Sequence, residues 1–293
     1  MAPRRPAPPP RRAPPPRWRR PAPALDDVCN LYRPGFLDER DRGELTSWLA
    51  GLHPLWEQRY SRHRPPPAGK PQRALLRPVY WLGAWQFACL GYYEPPRRVA
   101  DCAVRAEPFP PVLARVVAEL ERLVRTRFPP ASVPARWRLN TCLINFYGDR
   151  LQDGKWVDVA RVGDHRDLEP GPVASLSLGE RALFQFIRRG SHGAPPVHQQ
   201  WLEDGSLQVF GGAWKDALLH RVQRVEAKRD LSLGPAIDGF RTRRINLTLR
   251  HVPERDVVAF AELPDAARRD VREYVAELAA HSHFFARALA SER

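Results

Sequence analysis

Between residues 137 and 252 the chain is cut into short runs, CLINFYG, VASLSLG, ALFQFI, GSLQVFGG, LLHRV and RRINLTLRHV, divided by Gly, Pro and Asp. Period-two alternation over four to eight residues is the signature of a half-buried strand. Several such strands in succession need each other's apolar faces, which points to a sandwich or jelly roll. The flanks have a different period. In PPVLARVVAELERLVRTRFPP, Val112, Leu113, Val116, Val117, Leu120, Leu123 and Val124 form one helical face between prolines. Leu37, Leu45, Trp48, Leu49 and Leu52 outline an earlier amphipathic helix after the Pro34-Gly35 break. Val271, Tyr274, Val275 and Leu278 outline a later one, expected to pack on the outside. The fold class expected is mainly β with flanking helices (α+β).

Three segments follow from this texture. Residues 1–24 hold seven Arg, many Pro and no acidic residue, too little apolar surface to offset chain entropy, and are expected to be a disordered arm. Residues 25–252 are expected to form one domain, its N-terminal helices and lid included, and 253–293 a C-terminal helical extension. Removing the arm's seven charges from the formal +14 leaves +7 on the remainder, so a polyanionic partner is plausible. Cys29, Cys89, Cys102 and Cys142 contain no C-x-x-C pair, which argues against a zinc knuckle or a disulfide scaffold and favours a cytoplasmic setting. The longest uncharged run, PVYWLGAWQFACLGYY, is shorter than a membrane helix requires. Neither secretion nor membrane insertion is expected, and a monomer is.

One pair of residues raises the question of chemistry. In VGDHRDLEP, His165 and Asp167 are two apart, so on a strand they point the same way and offer an imidazole nitrogen and a carboxylate oxygen to one ion. The spacing also fits a solvated or capping pair. A third ligand has to come from His192 or His198, both in GSHGAPPVHQQ, which reads as a loop, or from His220 or His251. His220, inside the apolar run ALLHRVQRV, is best placed, although a core histidine bonded to the backbone would look the same. In RRINLTLR, Arg244, Asn246, Thr248 and Arg250 alternate with Ile245, Leu247 and Leu249. If the polar face is the buried one, its guanidinium groups need anions, and a bound dicarboxylate would supply them. If not, it is a solvated strand surface. Asn145 and Tyr147 share a face in the same manner and could add an amide and a phenol.

Taken in order, Asn145-x-Tyr147, His165-x-Asp167, SLSLGERALFQF, GSLQVFGG with His220, and Arg244-x-Asn246-Leu247-Thr248-x-Arg250 resemble the AlkB family of Fe(II)- and 2-oxoglutarate-dependent dioxygenases. The resemblance covers about residues 137 to 252 strongly, 25 to 136 loosely, and neither tail. It implies a double-stranded β-helix, a jelly-roll barrel with supporting helices. It implies Fe(II) held by His165, Asp167 and His220, with positions left for 2-oxoglutarate and O₂. Arg244 and Tyr147 would take the distal carboxylate of 2-oxoglutarate, Asn145 and Arg250 would support the end near iron, and Asn246 would lie close by.

The activity so implied is oxidative demethylation of N-alkylated bases in DNA or RNA, by hydroxylation of the alkyl carbon and loss of an aldehyde. Trp81, Trp85, Tyr92 and Tyr93 fall where the family places its nucleotide lid and are candidates for stacking on a flipped base. Glu169 corresponds to an acidic residue that contacts the methylated base; a cap on the turn before Pro170 is its plainer reading. The charged segment GDRLQDGKWVDVARVGD reads as a loop longer than in the best-known bacterial members, and the lid matches poorly. Arg188, Arg189 and the arm could meet phosphates. Other readings are the same chemistry on tRNA or a methylated protein, a nucleic-acid-binding protein without catalysis, and a hydrolytic zinc enzyme, which has no use for the Arg244/Arg250 pair.

Overall fold

Fourteen strands and five α-helices organise the described residues of the computed structural model, which are 24–72, 74–90, 103–190, 194–223 and 232–291. Residues 1–23 of the Pro/Arg arm, Tyr92, Tyr93, Cys102 and His192 lie outside them. The first strands are β1 (Asn30–Arg33), β2 (Val79–Leu82), β3 (Ala84–Gln86) and β4 (Ala103–Arg105). The segment rich in alternation supplies β5 (Thr141–Gln152), β6 (Lys155–Asp158), β7 (Val162–His165), β8 (Val173–Gly179), β9 (Ala182–Arg188), β10 (His198–Leu202), β11 (Leu207–Phe210), β12 (Leu218–Gln223) and β13 (Phe240–Arg250). A short β14 (Val257–Val258) closes the series.

Two antiparallel sheets carry the fold. The larger has the order β1-β11-β8-β13-β5-β2, with β6 paired to β5, and the smaller has β10-β9-β12-β7. From β7 onward the chain passes repeatedly between them, with β8, β11 and β13 in the large sheet and β7, β9, β10 and β12 in the small one. This alternation is jelly-roll winding, as expected from the strand texture. Aromatic rings fill the space between: Phe210 of the large sheet stands 5.8 Å from Phe184 and 5.2 Å from Phe186 of the small one, centroid to centroid. A third sheet, β14-β4-β3, sits beside these.

The helices follow their sequence signals closely. In α1 (Glu39–Ala50) the Asp38 carboxylate caps the first turn by accepting from the Asp41 amide, and Leu45 and Leu49 face the core. In α2 (Pro111–Arg127), Pro111 opens the helix, and all of the predicted apolar positions except the partly covered Leu123 are buried. A short α3 (Gly212–Asp216) links β11 to β12. At the C-terminus, α4 (Asp265–Ala279) and α5 (His283–Ala290) each keep one face toward solvent and pack the other onto the core. Val271, Val275, Leu278 and Phe285 belong to the same hydrophobic core as the large sheet, and Tyr274 stacks on Phe87 at 5.6 Å. Burying that face stabilises the sheets as well as the helices.

Two loop readings are overturned. GDRLQDGKWVDVARVGD is largely a hairpin: β5 runs on to Gln152, and Asp153 and Gly154, at φ 49° and 74°, turn the chain into β6. Two consecutive left-handed residues make the Asp-Gly turn that matches strand twist. His198 likewise belongs to a strand, β10, and not to a loop.

A bulge in β13 sets the phase of the functional face. The β13–β5 register shifts between Thr242 and Arg244, leaving Arg243 as the extra residue. Arg243 turns to Asp149, Asp158 and Glu180, at 3.4 Å from Asp158 and 2.9 Å from Glu180, while Arg244 opens the alternating face that ends at Arg250. Gly148 makes room for this: a Cβ there would lie 1.7 Å from the Arg241 carbonyl oxygen.

Candidate active site

The register of the small sheet brings two of the candidate ligands together. His220 on β12 is the cross-strand partner of His165 on β7, and the two rings stand 4.1 Å apart. Asp167, just beyond β7, turns its Oδ2 to within 3.3 Å of His220 Nε2. One ligand atom from each of His165, Asp167 and His220 lies within 4.8 Å of the others. Asp167 and His220 are buried and His165 is partly covered.

The hydrogen bonds around these atoms fit a metal. His165 Nδ1 lies 2.9 Å from the Gly163 carbonyl oxygen, which can only accept, so the proton sits on Nδ1 and Nε2 presents its lone pair. Asp167 receives two bonds on Oδ1 from Arg250, 2.8 Å from Nε and 2.7 Å from Nη2. Its other oxygen, Oδ2, is buried without a hydrogen-bond partner among the described residues. An unsatisfied buried carboxylate oxygen facing two imidazoles is the environment that a divalent cation completes. Burial resists the Asp167 charge, but Arg250 and the two histidines outweigh it and hold the carboxyl well below the usual carboxylate range. Burial and the neighbouring His220 push His165 down to about 3, so its ring is neutral at physiological pH, as a ligand must be.

Across the aromatic layer, the large sheet lines the rest of a cleft of about 550 Å³. Asn145 and Tyr147 on β5 pair with Asn246 and Arg244 on β13. Arg244 is buried, donates to Ser177 Oγ at 3.0 Å, and has no partner for Nε or Nη1 among the described residues. Its guanidinium lies over the Tyr147 ring at 4.9 Å. Burial pushes its pKa down, which marks a cation held short of counter-charge. The polar face of RRINLTLR is therefore the cleft face, and the solvated-surface reading does not hold.

The model of the 2OG-Fe(II) oxygenase superfamily matches residues 30–250. The chain belongs to this superfamily. Its members use Fe(II), 2-oxoglutarate and O₂, and the chain is accordingly a dioxygenase. The solved structure of OsALKBH1 is similar at 19% identity and a TM-score of 0.47, over 76% of this chain and 98% of that one. No curated protein sequence matches the chain.

Within this oxygenase Trp81, Trp85 and Glu169 stand elsewhere than expected. Trp81 and Trp85 are 2% and 0% exposed and do not line the cleft. Trp85 instead donates to Glu57 at 2.6 Å and stacks on Phe87 at 4.6 Å. Both are core residues, and neither surface is available to a base. Glu169, also buried, accepts from the Leu168 amide at 3.1 Å, lies 3.6 Å from Arg250 and is not among the cleft-lining residues. Asn246 faces the cleft with its amide already engaged: Nδ2 donates to Ser175 Oγ and the Leu176 carbonyl, and Oδ1 accepts from Thr248. His251 bonds the Arg138 carbonyl at 2.9 Å, away from the triad.

Arg77, Arg166, and the serines Ser175 and Ser177 that accept from Asn246 and Arg244, did not stand out in the sequence. Arg77 lines the cleft and donates to Asn145 Oδ1 at 2.8 Å. The signal available for it was Arg-Pro directly before an alternating run, which places the residue in extended backbone at a strand entrance.

Proposed function

We propose that the chain is an oxidative demethylase of N-alkylated bases in DNA or RNA, with His165, Asp167 and His220 holding Fe(II). The observation that carries the proposal is the composition of the cleft. Five arginines (Arg77, Arg166, Arg189, Arg244 and Arg250) and two aspartates (Asp164 and Asp167) line it together with the histidine pair. Arg244 and Tyr147, on the large sheet, take the distal carboxylate of 2-oxoglutarate, for which a planar guanidinium is the matching fork. Asn145 supports the same acid, and Arg250 acts on Asp167. Arg189, exposed, and Arg166, half-buried, also line the cleft and suit the phosphates of a polyanionic substrate.

When bound, iron with 2-oxoglutarate and O₂ supplies the oxidation of the N-alkyl carbon. The chain's own work is to orient and to exclude water. His165 is fixed as the Nδ1–H tautomer by Gly163, Asp167 is held ionised with one oxygen turned inward by Arg250, and Phe184 and Phe210 form the dry wall beside His220.

The test is turnover of the purified protein on 1-methyladenine and 3-methylcytosine oligonucleotides, DNA and RNA, beside methylated tRNA and methyl-lysine peptides, following succinate and formaldehyde. Product from the oligonucleotides supports the proposal. Peptide turnover with inert oligonucleotides refutes the substrate assignment.

A further inference from the structure

Arg77 stands where the cosubstrate end of the cleft is shaped, yet belongs to none of the recurring motifs. The β2–β5 register pairs Val79 with Asn145, so two residues earlier the chain passes beside Tyr147. Arg77 and Arg244 flank that tyrosine, one guanidinium 4.8 Å and the other 4.9 Å from its ring centroid. Both are buried, and beside the cost of burial the Arg77 charge is one of the causes that lower Arg244's pKa.

The bond to Asn145 settles an orientation. Arg77 Nε is a donor only, so the atom facing it at 2.8 Å must be the amide oxygen. The Asn145 amide is thereby pinned with Nδ2 at the opposite end, and N–H groups are what an acid oxygen needs. Asn246, its cross-strand partner, has both ends engaged and offers no such donor.

We propose that Arg77 is a positioning residue for 2-oxoglutarate, acting through Asn145 by holding its amide with the N–H groups toward the bound acid. The proposal rests on the reading of the cleft as a 2-oxoglutarate site given above.

Anaerobic calorimetric titration of the Mn(II)-loaded full chain with 2-oxoglutarate tests it without turnover. The wild type is expected to saturate, and Arg77→Ala to weaken the dissociation constant about tenfold, the scale of one hydrogen bond to a charged group. In an Asn145→Ala background the same change is expected to cost distinctly less, because its target is gone. Mn(II) affinity, read by electron paramagnetic resonance, should not move. Equal losses in the two backgrounds, or an Arg77→Ala variant that binds like the wild type, would overturn the inference. A wild type that binds no 2-oxoglutarate would overturn the cleft reading itself. Should Arg77→Ala fail to fold, Arg77→Met keeps the apolar stem and carries the same expectations.

Discussion

Arg250 and Asp167, eighty-three positions apart, meet through two hydrogen bonds to one oxygen, 2.8 Å from Nε and 2.7 Å from Nη2 to Oδ1. The geometry divides the carboxylate's labour. One oxygen satisfies a buried cation and the other remains for a metal. Arg250→Ala should therefore lower stability at neutral pH by about 3 kcal/mol, the cost of leaving a buried charge without its partner. It should also weaken Mn(II) binding. Chemical denaturation and a metal titration on the same variant check both.

Arg244 has a different task, and its removal should have a different signature. Arg244→Ala is expected to raise the KM for 2-oxoglutarate about 10- to 100-fold, on the scale of charged hydrogen bonds, with kcat much less affected. Asp167→Ala, by contrast, should abolish turnover at any 2-oxoglutarate concentration. Steady-state kinetics with both variants separates ligand loss from cosubstrate loss.

Glu57 predicts a pH dependence remote from the cleft. Burial pushes its carboxyl up to about 7, against the opposing bonds from the Ala88 amide and Trp85. A raised carboxylate pKa means that the folded state holds the proton over a range where the unfolded chain has released it. Its contribution is complete below about 4.5 and is lost as pH rises toward 7, amounting to about 3 kcal/mol over that window. Denaturation midpoints at pH 5 and pH 7.5 should show this, and Glu57→Gln should flatten the slope.

The bulge at Arg243 requires Gly148. Gly148→Ala sets a methyl group against the Arg241 carbonyl, and backbone cannot yield as a side chain does. A loss of about 1–3 kcal/mol is expected from overpacking, together with a weaker 2-oxoglutarate affinity because Arg244 shifts with the bulge. Thermal melts and cosubstrate titration measure the two effects.

Trp85→Phe should cost about 1–3 kcal/mol by removing the donor to Glu57. It should leave oligonucleotide affinity unchanged, since the ring never reaches the cleft. A filter-binding assay distinguishes this from a stacking role.

Much of the fold is legible in the sequence because it repeats at period two. The alternation in RRINLTLR marked out one polar face and the apolar residues around His220 a strand, but spacing left both open to plainer readings, and the set His165, Asp167 and His220 came from the order of the motifs in the family resemblance. Trp81 and Trp85 misled because an aromatic run looks alike whether it lines a lid or fills a core; only the buried Glu57 carboxylate beneath Trp85 decides it. Glu169 was placed by position after Asp167, but its bond to the Leu168 amide is local geometry that spacing does not encode. Arg77 escaped for a similar reason: its importance comes from the neighbour strand, which no pattern within its own segment reveals. The Asp153-Gly154 turn, in contrast, carried a plain hairpin signal inside a segment read as loop.

The proposed ligands His165 and His220 ride on one sheet, and the residues proposed to grip the organic acid ride on the other, with Phe184, Phe186 and Phe210 as the spacer between. The span from oxidant to acid clamp is thus a thickness, fixed by the girth of three phenyl rings. Trimming one of them would detune the chemistry from within, with every reactive side chain left intact.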